Sequence, residues 1–278
     1  MKIVVITGQT ATGKTKLALD TAGKYGGELV NCDSRQIYKC LDIVTGKDEP
    51  VDTKIWLYDI VDPRQYFSSF DYVQAARPVI ENIIHRGKTP IIVGGTYLYL
   101  KHLLYGINIQ TPPNWKLRKE METKTVRELQ EIVKKLSTQS FKQMNRSDQN
   151  NPHRLIRRME ILQSTPSLSS SPSLPSYSFK IIGLKYKNRN DLVNAIKIRV
   201  EKRLKQGALG EVKRLLEKGY TENDPGLKTI GYQQIIRYLK GKITINEAAN
   251  EWVVKEIQYA KRQYTFMKKD KNISWKEI

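Results

Sequence analysis

Two stretches near the N-terminus carry residues whose types and spacing can do chemistry. Gly8, Gln9, Thr10, Ala11, Thr12, Gly13, Lys14 and Thr15 spell Gly-x-x-x-x-Gly-Lys-Thr. They follow the apolar run Ile3 to Ile6 and precede a helix-like segment. Strand, loop and helix in that order are the context that a phosphate-binding loop requires. Gly8 and Gly13 let backbone N–H groups crowd around phosphate oxygens where a side chain would block them. A helix starting near Lys14 turns its positive end towards the same anion. Lys14 reaches terminal phosphates, and the Thr15 hydroxyl is placed to ligate Mg²⁺. The pattern specifies a di- or triphosphate. It leaves open which one, and what is done to it.

The second stretch is Asp33-Ser34-Arg35-Gln36-Ile37-Tyr38, after a short strand expected over Glu28 to Cys32. Open α/β sheets bind ligands outside the carboxyl ends of their strands, which puts Asp33 beside the phosphate loop. A carboxylate there can bind Mg²⁺, act as a general base, or cap the next helix. Spacing alone does not choose among these.

The elements that must position these residues alternate. A helix is expected over about 14–25, stopped by Gly26-Gly27, and strands over Ile55 to Ile60 and Pro90 to Val93. Residues 70–86 have helical spacing, with Pro78 expected to kink or break the pattern. Gly94-Gly95-Thr96 follows a strand end, either as a plain turn or to let backbone approach a ligand. Alternating strands and helices indicate an α/β fold with a doubly wound parallel sheet. After Gly106 the character changes. Residues 111–148 read as a helical insertion with an amphipathic stripe, while 1–110 and 149–278 form the α/β core and its C-terminal helices. Residues 164–176 are a serine- and proline-rich linker, and Tyr177 to Leu184 returns as a strand that could rejoin the sheet. Gly207 and Gly210 are expected to interrupt a long helix from about Asp191. A helix over about 246–268 and a short strand at Ile273 to Trp275 close the chain.

Composition narrows the partners. No apolar run reaches membrane-spanning length, and the first residues run straight into a strand, so neither membrane span nor signal peptide is expected. Cys32 and Cys40 are the only cysteines, which fits a reducing cytoplasm and no zinc site. The net charge is +20 and uneven: residues 1–110 carry 13 Lys and Arg against 11 Asp and Glu, and residues 111–278 carry 35 against 17. A positive field of that size favours a polyanion through counterion release. A solvated basic surface is the plainer alternative. The cluster Arg154, Arg157 and Arg158 admits both readings.

The ordered set of segments resembles the tRNA dimethylallyltransferase family of bacterial tRNA prenyltransferases. The landmarks are Gly8 to Thr15, Asp33 to Tyr38, Asp42-Ile43 with Thr45, Asp59 to Pro63, and Val93 to Thr96 with Leu98 and Tyr99. They continue with Asn150 to Arg154, Gly231-Tyr232 and Ala260 to Gln263. The resemblance covers nearly the whole chain and implies a P-loop-type core with a helical insertion. It implies transfer of a dimethylallyl group from dimethylallyl diphosphate to N6 of the adenosine 3′ of the anticodon. The tRNAs would be those reading codons that begin with U, and Mg²⁺ would assist as diphosphate leaves. On that resemblance the loop holds the donor's diphosphate, Thr10 lies close to the reacting centre, Asp33 is the general base, and Arg203 clamps the diphosphate from the opposite side. It assigns tRNA contacts to Asp33, Ser34, Arg35, Gln36, Thr96, Asn150, Asn151, Pro152, His153, Arg154, Lys228, Thr229, Ile230, Gly231, Tyr232 and Gln233. The chain departs from the family at Gln9 (usually proline), Asn151 (usually aspartate), Lys228 (usually arginine) and Phe266 (usually tryptophan). Its segment after Arg203 is also shorter. The expected partners are a tRNA anticodon stem-loop and dimethylallyl diphosphate, with the protein a monomer. The alternatives are a prenyltransferase acting on a free adenine nucleotide, and a P-loop kinase of small molecules.

Overall fold

A computed structural model describes residues 2–47, 53–106, 111–164 and 177–278. The chain divides into two compact units, Met1–Leu104 with Leu174–Ile278, and Tyr105–Ser173.

The larger unit is built on six parallel strands: β1 (Lys2–Gly8), β2 (Gly27–Asn31), β3 (Ile55–Trp56), β4 (Thr89–Val93), β5 (Ser178–Lys185) and β6 (Ile273–Glu277). Their order across the sheet is β3-β2-β4-β1-β5-β6. The chain leaves β1 for one edge and, after β4, crosses to the other, so β1 stands at the switch point where such sheets bind ligands. The apolar runs of β1 and β4 are buried on both faces, as a parallel sheet under helices requires. Around them lie α1 (Lys14–Tyr25), α2 (Ser69–His85) and α3 (Tyr97–Tyr105). The C-terminal helices are α9 (Arg189–Lys205), α10 (Ala208–Glu217), α11 (Tyr232–Leu239) and α12 (Ile245–Met267). They share a core with the 37–44 segment in which Ile37, Leu41, Val200, Val212, Tyr232 and Trp252 are almost fully buried.

Four sequence expectations meet the structure here. The strand over Ile55 to Ile60 ends at Trp56, because Leu57 and Asp59 take positive φ, which no strand accommodates. The helix over 70–86 runs unbroken through Pro78 from a Ser68–Asp71 capping box, with the proline on the exposed side. Gly207 does interrupt the long helix, at φ 101°, but Gly210 lies inside α10. Strand β5 does rejoin the sheet, in register with β1 along its length. The 164–176 linker lies outside the described residues beyond Ser164.

The smaller unit holds α4 (Trp115–Met121), α5 (Val126–Leu136), α6 (Thr138–Gln143), α7 (Arg146–Gln149) and α8 (Pro152–Gln163). It extends past the expected boundary at 148, because Leu155, Ile156 and Met159 of α8 pack with Met121, Leu129 and Val133. Glu160 is 3% exposed and held by Arg118, by Arg157 and by the Asn114 N–H at 2.8 Å. Arg157 is thereby an internal partner, with Nη2 also on the Thr111 carbonyl, and not a member of a free arginine cluster.

One buried carboxylate ties the C-terminal helices to the segment after β2. Glu211 of α10 accepts the N–H groups of Asp42, Ile43 and Val44 at 2.6 to 3.2 Å, and the Tyr232 hydroxyl. Removing it leaves three amides without an acceptor, that of Val44 buried and those of Asp42 and Ile43 partly buried, each costing about 1 kcal/mol or more. Glu211→Ala is therefore expected to destabilise the protein by about 3 kcal/mol or more in urea unfolding. An unchanged midpoint would show that the amides find other partners.

Candidate active site

The phosphate loop has the geometry its sequence demands, with one change in the reasons. Gly13 takes a left-handed conformation, φ 73°, at the cap of α1, with open space where a Cβ would be. Its requirement is conformational. Gly8, at φ 135°, is also pressed against β5: a Cβ would come within 2.1 Å of the Leu184 carbonyl oxygen. Between them the loop is fixed by side chains. The Thr12 hydroxyl and Lys14 Nζ both donate to the Gln9 carbonyl, at 2.8 and 2.6 Å. The Tyr186 hydroxyl donates to the carbonyl of Ala11, whose φ is 62°. The Thr10 N–H donates to Gln263 Oε1 at 2.8 Å. Gln9, standing where the family pattern has proline, uses its Oε1 to accept the Tyr186 N–H.

The ends of β2 and β4 bring further predicted residues beside the loop. Asp33 Oδ1 accepts the Arg35 N–H at 2.8 Å, and the Asp33 N–H donates to Asn31 Oδ1. Thr96 Oγ1 accepts the Ser34 N–H at 2.9 Å. The two glycines before Thr96 are approached by the protein itself. Gly94 lies against the Cys32 carbonyl, and Gly95 against the Gln263 carboxamide.

A cleft of about 340 Å³ joins these elements, lined by Thr10, Asp33, Arg35, Thr45, Arg199, Arg203, Lys228, Thr229, Ile230, Glu256, Tyr259 and Arg262. Arg203 is 4% exposed. Its guanidinium donates to the Thr45 carbonyl at 3.0 Å, faces Glu256 at 3.5 Å and lies over the Trp252 ring. Arg199, one turn earlier on α9, donates from Nη1 to Thr10 Oγ1 at 3.3 Å. Both arginines press on Gly46, where a Cβ would lie 2.5 Å from one guanidinium and 2.8 Å from the other. Two cations thus face the phosphate loop across the cleft. The resemblance singled out Arg203 and did not give Arg199, although the i,i+4 spacing on one helix could have found it.

The remaining predicted contacts divide. Gln36 is turned inward, its Nε2 donating to the Gly46 carbonyl at 2.8 Å. Tyr232 is fully buried on Glu211, and Gly231 is pressed against Val44 and Trp252. Gln233 donates to the carbonyls of Glu222 and Leu227. Lys228, Thr229 and Ile230 line the cleft, Gly231, Tyr232 and Gln233 do not, and Tyr232 has no surface to offer a ligand. Asn150, Asn151, Pro152, His153 and Arg154 belong to the smaller unit. There Asn151 caps α8 through the Arg154 N–H, Pro152 stands in its first turn, and Arg154 pairs with Asp148. No helix among the described residues is long and apolar enough to cross a membrane.

Fold and site define the class, a phosphate-loop protein of the doubly wound parallel type with paired arginines opposite the loop. The family model described as IPP transferase matches residues 36–270. A tRNA dimethylallyltransferase of Caldanaerobacter subterraneus is 35% identical over 290 residues, covering 99% of this chain and 91% of that protein. The crystal structure of the full-length tRNA isopentenylpyrophosphate transferase from Bacillus halodurans is 31% identical, with a TM-score of 0.73, over 99% of this chain and 89% of that one. A eukaryotic dimethylallyltransferase acting on tRNA gives a TM-score of 0.77 at 26% identity, covering 96% of this chain and 69% of that one. The chain belongs to the IPP transferase family.

Burial and the neighbouring Arg199 charge lower the Lys14 pKa from 10.5 to about 8. Lys14 is charged in both folded and unfolded chains below pH 8, so its burial penalty is fully present there and fades as pH rises towards 10.5. Anion binding favours the charged form. The affinity for inorganic diphosphate is therefore expected to fall above pH 8 with net proton uptake on binding, read by calorimetry in buffers of different ionisation enthalpy. Lys14→Met should bind weakly with no inflection there, and a flat wild-type profile would contradict this reading.

Proposed function

We propose that this chain is a tRNA dimethylallyltransferase that takes dimethylallyl diphosphate as donor and N6 of the adenosine 3′ of the anticodon as acceptor. The observation that carries the reading is the single cleft in which Thr10 of the phosphate loop, Asp33 and the two arginines of α9 meet. The donor's diphosphate lies against the loop amides and Lys14, with Arg199 and Arg203 on its other side. As the C1–O bond breaks and the C1–N6 bond forms, these cations take up the charge gathering on the leaving diphosphate. Asp33 accepts the proton lost from the exocyclic amine. That amine is a poor nucleophile because its lone pair is delocalised into the ring, so a placed base contributes on the order of 10²–10⁴-fold. Glu256 beside Arg203 is the second carboxylate of the cleft, but its charge is opposed by that arginine. Asp33 is the carboxylate nearer to free use.

The Mg²⁺ of this reading arrives with the substrate. Among the described residues no cluster of three or more His, Cys, Asp or Glu could hold a resident metal. Mg²⁺ is commonly held by phosphate oxygens, water and one or two protein oxygens, and the Thr15 hydroxyl is the protein oxygen proposed here. When bound it would add positive charge at the diphosphate.

The adenosine must leave its stack to reach this cleft. Arg35, Lys228 and Arg262 line it and offer the phosphate contacts, and the excess of Lys and Arg over residues 111–278 favours a polyanion. The proposal takes the protein to act as a monomer.

Asp33→Ala is expected to reduce transfer by at least about 10²-fold while leaving tRNA affinity nearly unchanged; near-normal turnover would remove Asp33 from the base role. Binding of tRNA should weaken steeply between about 50 and 200 mM salt, on the order of 10³-fold. Turnover of an anticodon stem-loop is expected to exceed that of AMP by several orders of magnitude. Preference for AMP would favour the free-nucleotide prenyltransferase instead.

A further inference from the structure

Gln263 of α12 lies against the phosphate loop and is 6% exposed. Its Oε1 accepts the Thr10 N–H at 2.8 Å, and its Nε2 donates to the Gly95 carbonyl at 3.1 Å. An amide oxygen only accepts and an amide nitrogen only donates, so one orientation of the carboxamide satisfies both bonds. The Gly95 backbone lies outside the left-handed region, so conformation does not demand a glycine there. Space does: a Cβ on Gly95 would stand 2.1 Å from Gln263 Nε2 and 3.3 Å from its Cδ. The glycine at the end of β4 and the glutamine near the end of α12 therefore specify each other. What they hold is Thr10, itself 8% exposed, whose hydroxyl meets Arg199 across the cleft.

We propose that Gln263 and Gly95 form a latch that sets the position of Thr10 in the cleft, making Gln263 a positioning residue for the transfer reaction. The proposal rests on the placing of Thr10 at the reacting centre. Without the carboxamide the buried Thr10 N–H has no acceptor, and the loop must move to find one. A shift of about 1 Å at a reacting group can cost on the order of 10²-fold in rate.

The test is a cycle of Gln263→Ala, Gly95→Ala and the double variant. Each is read twice: by the Kd for inorganic diphosphate with Mg²⁺, and by kcat and donor KM with a stem-loop acceptor. Each single change is expected to weaken diphosphate binding about tenfold and to lower kcat more than it raises KM. The double variant should be no worse than Gln263→Ala alone, because the Gly95 methyl then occupies the space the carboxamide has left. Additive losses, or a Gln263→Ala protein that melts earlier but binds and turns over normally, would overturn the latch. Gln263→Met keeps the volume and offers the Thr10 N–H only a weak thioether acceptor, so if the alanine variant unfolds the protein, Gln263→Met is measured as a single variant, with weakened diphosphate binding expected and normal binding and turnover overturning the latch. The diphosphate measurement decides the latch even if the wild-type chain transfers no dimethylallyl group, a result that would sink the proposed reaction by itself.

Discussion

A loop that binds phosphate must gather N–H dipoles and a lysine of one sign into a small space, and that arrangement repels itself. The rest of the larger unit depends on how this is resisted. Burial and Arg199 already lower the Lys14 pKa to about 8. The resistance is structural. Gly8 is pinned under Leu184, Ala11 is held by the Tyr186 hydroxyl, and the Gln9 carbonyl takes both Thr12 and Lys14. Thr10 is tied through Gln263 to the end of β4. Apart from Thr12 and Lys14, these partners come from β4, β5, α12 and the segment after β5, which lie far from the loop in sequence. The geometry of the loop is thus a property of the assembled sheet and its C-terminal helices.

The opposite wall obeys a similar rule. The segment 42–46 carries no charge cluster of its own, yet it determines where two arginines lie. Its amides close around Glu211, and its Thr45 carbonyl receives Arg203. Arg203 is 4% exposed, and that carbonyl, Glu256 and the Trp252 face surround it. Arg199 shares that carbonyl through Nη2 at 3.5 Å and reaches Thr10 through Nη1. Acceptors inside the framework, the Thr45 carbonyl and Glu256, thus hold the buried Arg203 in the cleft wall.

Much of this was legible in the sequence, for reasons that local chemistry explains. The phosphate loop is read from one continuous motif, and Asp33 from its place at a strand end. The parallel sheet follows from apolar runs alternating with helical spacing. What was not legible depends on contacts between distant residues. Nothing near Gln263 announces that it will accept the Thr10 N–H, and nothing near Gly95 says that a glutamine fills its missing side chain. Tyr232 lies in a segment expected to touch RNA, but burial against Glu211 makes it a wall. Helix α8 falls in the smaller unit because of where its apolar face packs, which its own periodicity does not say. Positive φ at Leu57 and Asp59 likewise ends a strand that the apolar pattern would have continued.

The most direct test of the central claim is the product itself. A synthetic anticodon stem-loop with a single adenosine 3′ of the anticodon is incubated with the protein, Mg²⁺ and dimethylallyl diphosphate, digested to nucleosides and weighed by mass spectrometry. The account predicts one dimethylallyl group added, carried on N6 of that adenosine, with an equal amount of diphosphate released. An unmodified adenosine in a stem-loop that the protein still binds would contradict it.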